Sequence, residues 1–333
     1  MPHKTRLLLL ISVLAWCFPL AARGQIKPDE QNAYLRLGDV HVTRYRVGAT
    51  IEAKRGAVRN VLATVAVPLT CPEQEVELVE EDITDQVRSH DFRLLPNQGA
   101  KQMIVKIPHL PNQTEARAVL TFNVRTRTIL PPEDTSDLVI PKRPSRDLKR
   151  YLGKSPMIDT KHAKIKKLSR EIFANLDDGD NATEDATDPT DWQRVEAIYN
   201  YVQDTITYKE QDDKSALATL KDGHGDCQNI SALFVAICRT NGIPARLVWV
   251  HEHNYPEFCL VDSEGKPHWF PCESSGQRAF GEMPLARVIM QKGDNFKVPE
   301  RRKALRYVSD YMIGVPAVSG GGPPSHKFIR ERL

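Results

Sequence analysis

Alternating apolar and polar residues mark the N-terminal third of the chain as strand-forming. His41–Val47 alternates in this way, and Val58–Val67 is rich in β-branched residues. Gln102–Ile107 and Ala118–Arg125 repeat the pattern, with turn residues between the runs. Several short strands at this spacing favour a β-sandwich, which we predict over residues 26–130. The segment carries no chemical motif, so we expect it to be a scaffold or a recognition surface.

The hydrophobic pattern becomes helical after a proline-rich stretch. Four prolines between Leu130 and Ser145 deny that stretch regular structure, and we interpret residues 131–150 as a linker. Apolar residues then recur at helical spacing in two stripes. The first comprises Ile165, Leu168, Ile172 and Leu176, and the second, after a cap at Thr190 or Asp191, comprises Val195, Ile198, Tyr199, Val202 and Ile206.

The change of period divides the chain into two predicted domains of ordinary size. Residues 151–300 form the second domain, in which helices and strands both occur, so the predicted fold class is α+β. Residues 301–333 are predicted as a short helix at Ala304–Ile313 followed by a flexible basic tail.

Residues 1–24 are typical of a secretory signal peptide. Lys4 and Arg6 precede the apolar run Leu7–Leu20, which is too short to cross a bilayer as a helix. We expect cleavage after Gly24 and a secreted or periplasmic protein without a membrane span. The net charge of +3 over 333 residues gives no reason to propose nucleic acid as a partner.

The stretch Gly223–Ile230 holds the most informative of the five cysteines that follow the signal peptide. Two glycines make a tight loop, and Cys227 falls in the first turn of the helix after it. Unpaired N–H groups and the positive end of the helix dipole stabilise a thiolate there, which is the attacking form of cysteine. Cys238 lies on the apolar face of the same helix and is better explained by packing. The odd cysteine count suggests at least one free thiol.

Downstream of this helix, the pattern predicts an antiparallel hairpin. Ala245–Val250 runs as a strand into His251 and His253, and a turn containing Gly265 separates the next two strands. The hairpin returns Glu273 to the neighbourhood of His253. A cysteine–histidine pair needs a third group to orient the imidazole, and Glu273 can accept that ring N–H.

The stretch Trp192–Gly276 resembles the core of the transglutaminase-like superfamily, which is related to papain-type cysteine peptidases. Four motifs of that core occur in order: Gly225-Asp226-Cys227, Gly242–Arg246, His253–Glu257 and Trp269–Glu273. Glu273 stands where the family usually has aspartate, and Tyr255 stands where it usually has tryptophan. The resemblance implies a helix carrying Cys227 packed on an antiparallel sheet, preceded here by the β-sandwich domain.

The resemblance implies acyl transfer at amide bonds of a protein or peptide substrate. Cys227 would be the nucleophile, His253 the base and Glu273 the orienting acid, with a thioester intermediate and no cofactor. The Cys227 N–H is a candidate oxyanion donor, and the sequence identifies no second one. Peptidase or amidase activity and transglutaminase activity are not separated by these motifs. A scaffold or binding module with a catalytically weak site is the alternative, because fold resemblance does not guarantee activity.

Other histidines compete with His253 for the role of base. His251 points to the same face of the predicted strand, and His268 and His224 are also near in sequence. A metal site built from His251, His253, Cys227 and Cys259 lacks recognised ligand spacing, so no metal is predicted. The oligomeric state is left open.

Overall fold

The computed structural model describes residues 34–96, 98–177 and 188–333, and the predicted signal peptide lies outside them. Its helices are α1 Arg146–Lys149, α2 Ala163–Asp177, α3 Asp191–Thr205, α4 Ala216–Asp222 and α5 Cys227–Thr240. Its strands are β1 Arg36–Glu52, β2 Val58–Val67, β3 Gln74–Ile83, β4 Ser89–Leu94, β5 Lys101–Leu110, β6 Glu115–Leu130, β7 Thr207–Tyr208, β8 His224–Gly225, β9 Ala245–Val250, β10 His253–Val261, β11 Pro267–Glu273, β12 Ala279–Phe280, β13 Ile289–Lys292, β14 Tyr311–Pro316 and β15 Ser325–Arg332. The predicted α+β class is confirmed.

The six N-terminal strands and the two C-terminal strands together form two four-stranded sheets, in the orders β15-β1-β6-β3 and β14-β2-β5-β4. All their pairings are antiparallel. Apolar side chains from both sheets fill one shared core, including Val47, Val65, Val105 and Leu120. The alternation seen in the sequence sends every second side chain of these strands into that core. We call these eight strands the two-sheet region.

The C-terminal prediction was wrong, because the structure has strands at Tyr311–Pro316 and Ser325–Arg332 where a short helix and a flexible tail were predicted. β14 pairs with β2 and β15 pairs with β1, so each completes one sheet of the two-sheet region. Ala304–Ile313 holds only a few apolar residues, and a window that short satisfies helical and strand periods alike. The strand form prevails because β1 and β2, far away in sequence, offer edges for pairing.

A five-stranded antiparallel sheet, in the order β12-β11-β10-β9-β13, supports the second half of the chain. α5 packs on this sheet and is buried along nearly its whole length, from Asn229 to Arg239. α2 and α3 cover the side of α5 that faces away from the sheet, through the apolar stripes that the sequence predicts. Within the described residues, no helix has the length and apolar character needed to cross a bilayer.

Buried charges fasten the two-sheet region to the five-stranded sheet. The Lys292 ammonium on β13 contacts Glu73 and lies 2.7 Å from Glu257 on β10. Glu257 also accepts from Arg246, whose guanidinium lies 4.0 Å from the centre of the Trp269 ring. Burial would lower the pKa of Lys292, but the two carboxylates outweigh it and raise that pKa. The same attraction lowers the pKa of Glu257, so Lys292 and Glu257 stay charged, and removal of either would leave a buried charge uncompensated.

A second buried ion pair, Arg239 with Asp294, anchors the C-terminal end of α5. Both side chains are almost fully buried, and the guanidinium donates to both carboxylate oxygens at 2.7 and 2.9 Å. It also donates to the carbonyl oxygens of Ala245 and Gly153. Every direction of the fork is therefore occupied, so the loss of one partner leaves an uncompensated charge.

We expect Asp294→Asn to lower the free energy of unfolding by about 3–5 kcal/mol, because it strands the buried Arg239 charge. Urea denaturation of the two proteins checks this. Asp82→Asn serves as the control, since the Asp82–Arg117 pair lies on the surface and should change stability by less than about 1 kcal/mol. Equal effects of the two substitutions would contradict the assignment.

Candidate active site

A short loop between α4 and α5 sets the position of Cys227. α4 begins at the Ser215 cap, whose hydroxyl accepts from the Ala218 N–H, and ends at Gly223 in a left-handed conformation with φ of 70°. A side chain at Gly225 would meet the Asn229 Cβ at 2.7 Å, so only glycine lets the chain pass so close to the helix. The predicted tight glycine loop is therefore present, and each of its glycines has a physical reason.

Cys227 is the first residue of α5, as the sequence predicts. Asp226 caps the helix by accepting from the Asn229 N–H at 2.8 Å. The Cys227 N–H lies two residues before that of Asn229, at the end of the helix where N–H groups have no intrahelical acceptor. The thiol is half-buried and free. It thus lies at the positive end of a helix, with a route to solvent.

His253 and Glu273 meet across the sheet. His253 opens β10 and Glu273 closes β11, and the pairing of Glu257 with Pro271 continues toward both residues. The His253 Nε2 lies 2.8 Å from the Glu273 Oε2. The other carboxylate oxygen accepts from the Ser275 N–H at 3.2 Å, which holds the carboxylate in place. The longer glutamate side chain thus reaches the imidazole that an aspartate would orient in the family's usual pattern.

Cys227 lies beside the same imidazole, since both residues line one cavity and Cys227 affects the pKa of His253. Burial alone would lower the pKa of His253, but hydrogen bonds to Cys227 and Glu273 outweigh it and raise the pKa to about 9. The structure therefore places the three predicted residues close together, with the carboxylate bonded to the imidazole and the thiol in the same cavity.

The competing histidines contact other groups. The His251 Nδ1 lies 2.9 Å from the Tyr45 hydroxyl, and burial lowers the pKa of His251. His268 pairs with Asp262 at 2.7 Å and packs against Tyr34. The His224 Nδ1 lies 3.4 Å from the Lys214 ammonium. Of these residues, only His253 joins a thiol to a carboxylate.

The remaining cysteines of the described chain are free thiols without a reactive setting. Burial raises the pKa of Cys238, Cys259 and Cys272, and of Cys71 as well. Cys259 belongs to the metal site that the sequence analysis considered and rejected, and it packs with Leu148 and Val261. In the part of the chain that the structure describes, no group of histidine, cysteine and acidic residues is arranged to hold a metal ion.

Two cavities open beside His253. The larger has a volume of about 740 Å³ and is lined by Cys227, His253, Trp249 and Tyr307 among others. The smaller, of about 270 Å³, is lined by His253 and Glu273 together with Tyr208, Met283 and Leu285. His253 therefore borders both cavities, and Cys227 borders the larger one.

Tyr208 is a site residue that the sequence analysis missed. Its backbone lies opposite Gly225 in the short β7–β8 ladder, two residues before Cys227. Burial and the negative charge of a Cys227 thiolate both raise the pKa of Tyr208, so its hydroxyl stays protonated and able to donate. The only sequence signal was an aromatic residue just after the second predicted helix, which is common in any core.

Comparisons with known proteins support a transglutaminase-like fold. The family model of the transglutaminase-like superfamily matches residues 179–282. The crystal structure of a proposed cysteine protease from Cytophaga hutchinsonii superposes with a TM-score of 0.52 at 14% identity, covering 90% of this chain and 93% of that one. A proposed protease from Parabacteroides distasonis has a TM-score of 0.29 at 11% identity, covering 86% of this chain and 47% of that one, too weak a likeness to support an argument. No curated protein matches the sequence.

We expect an NMR titration to place the two neighbouring histidines on opposite sides of the ordinary histidine pKa of about 6.5. His253 should titrate near 9 and His251 below 6.5. Glu273→Gln removes the negative charge that favours the imidazolium, so the pKa of His253 should fall while that of His251 stays low. A pKa of His253 that does not move in Glu273→Gln would contradict the proposed pairing.

Proposed function

Because residues 179–282 form a transglutaminase-like domain, we propose that this protein is a thiol enzyme acting on amide bonds of exported peptides or proteins. One observation carries the proposal. The Glu273 carboxylate bonds to the His253 imidazole and the thiol at the start of α5 lies in the same cavity, and together they raise the pKa of His253 to about 9 despite burial. A catalytically idle scaffold has no need to hold a charged imidazole in a partly buried cleft.

In the proposed reaction, Cys227 and His253 act as a thiolate–imidazolium pair. The thiolate attacks the carbonyl carbon of a substrate amide and forms a tetrahedral intermediate. As that intermediate collapses, the imidazolium gives its proton to the departing nitrogen, and a thioester with Cys227 remains. His253 then takes a proton from the incoming acceptor, which attacks the thioester and releases the thiol. Glu273 keeps the ring oriented and stabilises its charged form throughout.

The oxyanion of the tetrahedral intermediate needs two donors close to Cys227. The Cys227 N–H at the helix start is the first. We propose the Tyr208 hydroxyl as the second, because Tyr208 lines the smaller cavity with His253 and is near enough to Cys227 for a thiolate there to raise its pKa. Such donors act only on charge that develops during the reaction, so they affect turnover more than substrate binding.

Water and a primary amine are both possible acceptors for the thioester. The cleft is open on the side of the larger cavity, where half-exposed groups such as Tyr307 form the wall. An open cleft admits water, and a lysine-like amine can enter by the same route. Hydrolysis yields peptidase or amidase activity, and amine attack yields cross-linking.

A cysteine-reactive amide mimic should label Cys227 alone, with one adduct per protein. His253→Ala should slow this labelling about 100-fold or more, because the thiol loses its base. Intact-mass and peptide mass spectrometry follow the reaction. His251→Ala should slow it far less, since His251 contacts Tyr45 and not the thiol. Slow labelling of all the cysteines alike, unaffected by His253→Ala, would favour the scaffold alternative.

The same mass spectrometry identifies the acceptor when a glutamine-containing peptide is offered with and without a primary amine. Amine incorporation identifies a transferase, and chain cleavage or loss of ammonia identifies a hydrolase. A broad peptide panel left unchanged by a protein that labels at Cys227 would contradict the proposed turnover.

Tyr208→Phe should lower the turnover number by roughly 10- to 100-fold, because it removes one oxyanion donor. Labelling of Cys227 by an alkylating reagent, which forms no oxyanion, should change little. Steady-state kinetics and labelling rates on the same preparation make the comparison. Loss of labelling in parallel with turnover would mean that Tyr208 supports the fold and not the intermediate.

A further inference from the structure

Two arginines form part of the wall of the larger cavity, beside the nucleophile. Arg306 lies between β13 and β14, and Arg330 lies on β15. Both line the same cavity as Cys227 and His253. The mechanism proposed above uses neither of them, and the surrounding fold holds each in one orientation.

Arg306 is fixed directly to the start of α5. Its NH2 group donates to the Asp213 carboxylate at 2.7 Å and to the side-chain oxygen of Gln228, the residue after the nucleophile. Its guanidinium lies 5.5 Å from the centre of the Trp249 ring, and the side chain is 7% exposed. The NH1 group is buried and has no hydrogen-bond partner among the described residues.

Arg330, on β15, is held in a similar way. Its NH2 group donates to both oxygens of Asp310 at 2.9 and 3.0 Å. Its Nε is buried and likewise lacks a partner in the described structure. Each arginine is thus held by one aspartate through NH2 while a second donor stays unpaired.

Guanidinium N–H groups without a hydrogen-bond acceptor are unusual in the wall of a cavity. A buried N–H without an acceptor costs free energy, more so when the group is charged. Asp213 and Asp310 offset much of the charge, and Glu252 also lines the cavity but extends into solvent. The two unpaired atoms, NH1 of Arg306 and Nε of Arg330, lie beneath the cavity surface. The guanidinium N–H groups that keep accessible surface and have no acceptor among the described residues are Nε of Arg306 and NH1 of Arg330. An acceptor with two oxygens, such as a carboxylate, fits planar donors of this kind.

We propose that the larger cavity binds a carboxylate of the peptide substrate, with Arg306 and Arg330 as the residues that select it. This inference rests on the proposed function, since it assigns the substrate of that same site. Arg306 contacts the residue next to Cys227, so the carboxylate lies close to the amide under attack. It belongs either to an acidic side chain beside that amide or to the free end of the peptide. A neutral carboxamide in its place leaves the donors unpaired, and sites of that kind reject such analogues strongly.

Two electrophilic peptide amides that differ only in a glutamate or glutamine beside the reactive group test the proposal without a known substrate. Both label Cys227, and the ratio of their labelling rates measures the preference for a carboxylate. We expect the glutamate probe to react roughly tenfold faster or more with the wild-type protein. A third probe carries glutamine inside and a free carboxylate at its end, and a fourth is the same peptide with a terminal amide. The ratio of their labelling rates shows whether the carboxylate comes from an acidic side chain or from the free end of the peptide.

Arg330→Gln and Arg306→Gln should each reduce the preference severalfold and bring the ratio toward one. Because the ratio is measured within one preparation, partial loss of folded protein does not alter it. Arg306→Lys keeps the positive charge but loses the planar fork, and should recover only part of the preference. Arg332→Gln is the matched control. It removes an exposed arginine from the same strand as Arg330, outside the larger cavity, and should leave the ratio unchanged.

Equal labelling by acidic and neutral probes in the wild-type protein would overturn the carboxylate site while leaving the reactivity of Cys227 intact. A preference that persists in both glutamine variants would overturn the role of the arginines. The glutamine variants can lose the preference while the wild-type protein turns over no peptide. That combination would support the carboxylate site and contradict the enzymatic function. The two proposals therefore fail separately.

Discussion

Burial of α5 on every side is the constraint on which the site depends. The helix lies between the five-stranded sheet and the helices α2 and α3, and Arg239 fastens its far end to Asp294. A helix so enclosed can neither rotate nor slide without opening the core. Its first residue, Cys227, is therefore held at a fixed point above the sheet. The hairpin of β10 and β11 belongs to that same sheet, so the distance between thiol and imidazole follows from the packing of the core.

Electrostatics at the site and in the core follow opposite patterns. The cluster of Glu73, Lys292, Glu257 and Arg246 is closed, because each buried charge has opposite charges within hydrogen-bonding distance. The site around His253 is open, since one ring nitrogen bonds to a fixed carboxylate while the ring also lines a cavity shared with the Cys227 thiol. The closed cluster holds the two regions of the chain together, and the open one is left free to exchange a proton.

The sequence predicted the local features of this protein well and its long-range pairings poorly. The tight glycine loop, the helix that begins at Cys227 and the hairpin carrying His253 were predicted because each depends on neighbouring residues. Val58–Val67 was predicted as a strand with the bounds that the structure gives. β3 and β4 were missed, because their many charged residues suit an exposed sheet face but leave no apolar alternation to detect. Tyr208, Arg306 and Arg330 were missed for a related reason: they reach the site through tertiary contacts that no motif encodes.

The pairing of β15 with β1 has a consequence for the order in which the molecule is made. Ser325–Arg332 pairs with the strand that opens the described chain, and it carries Arg330 to the cavity beside Cys227. While the ribosome is still adding residues, β1 has an unpaired edge and one wall of the cleft is missing. The nascent protein therefore already contains the thiol, the imidazole and the carboxylate, but acquires its complete cleft only after synthesis has passed residue 332.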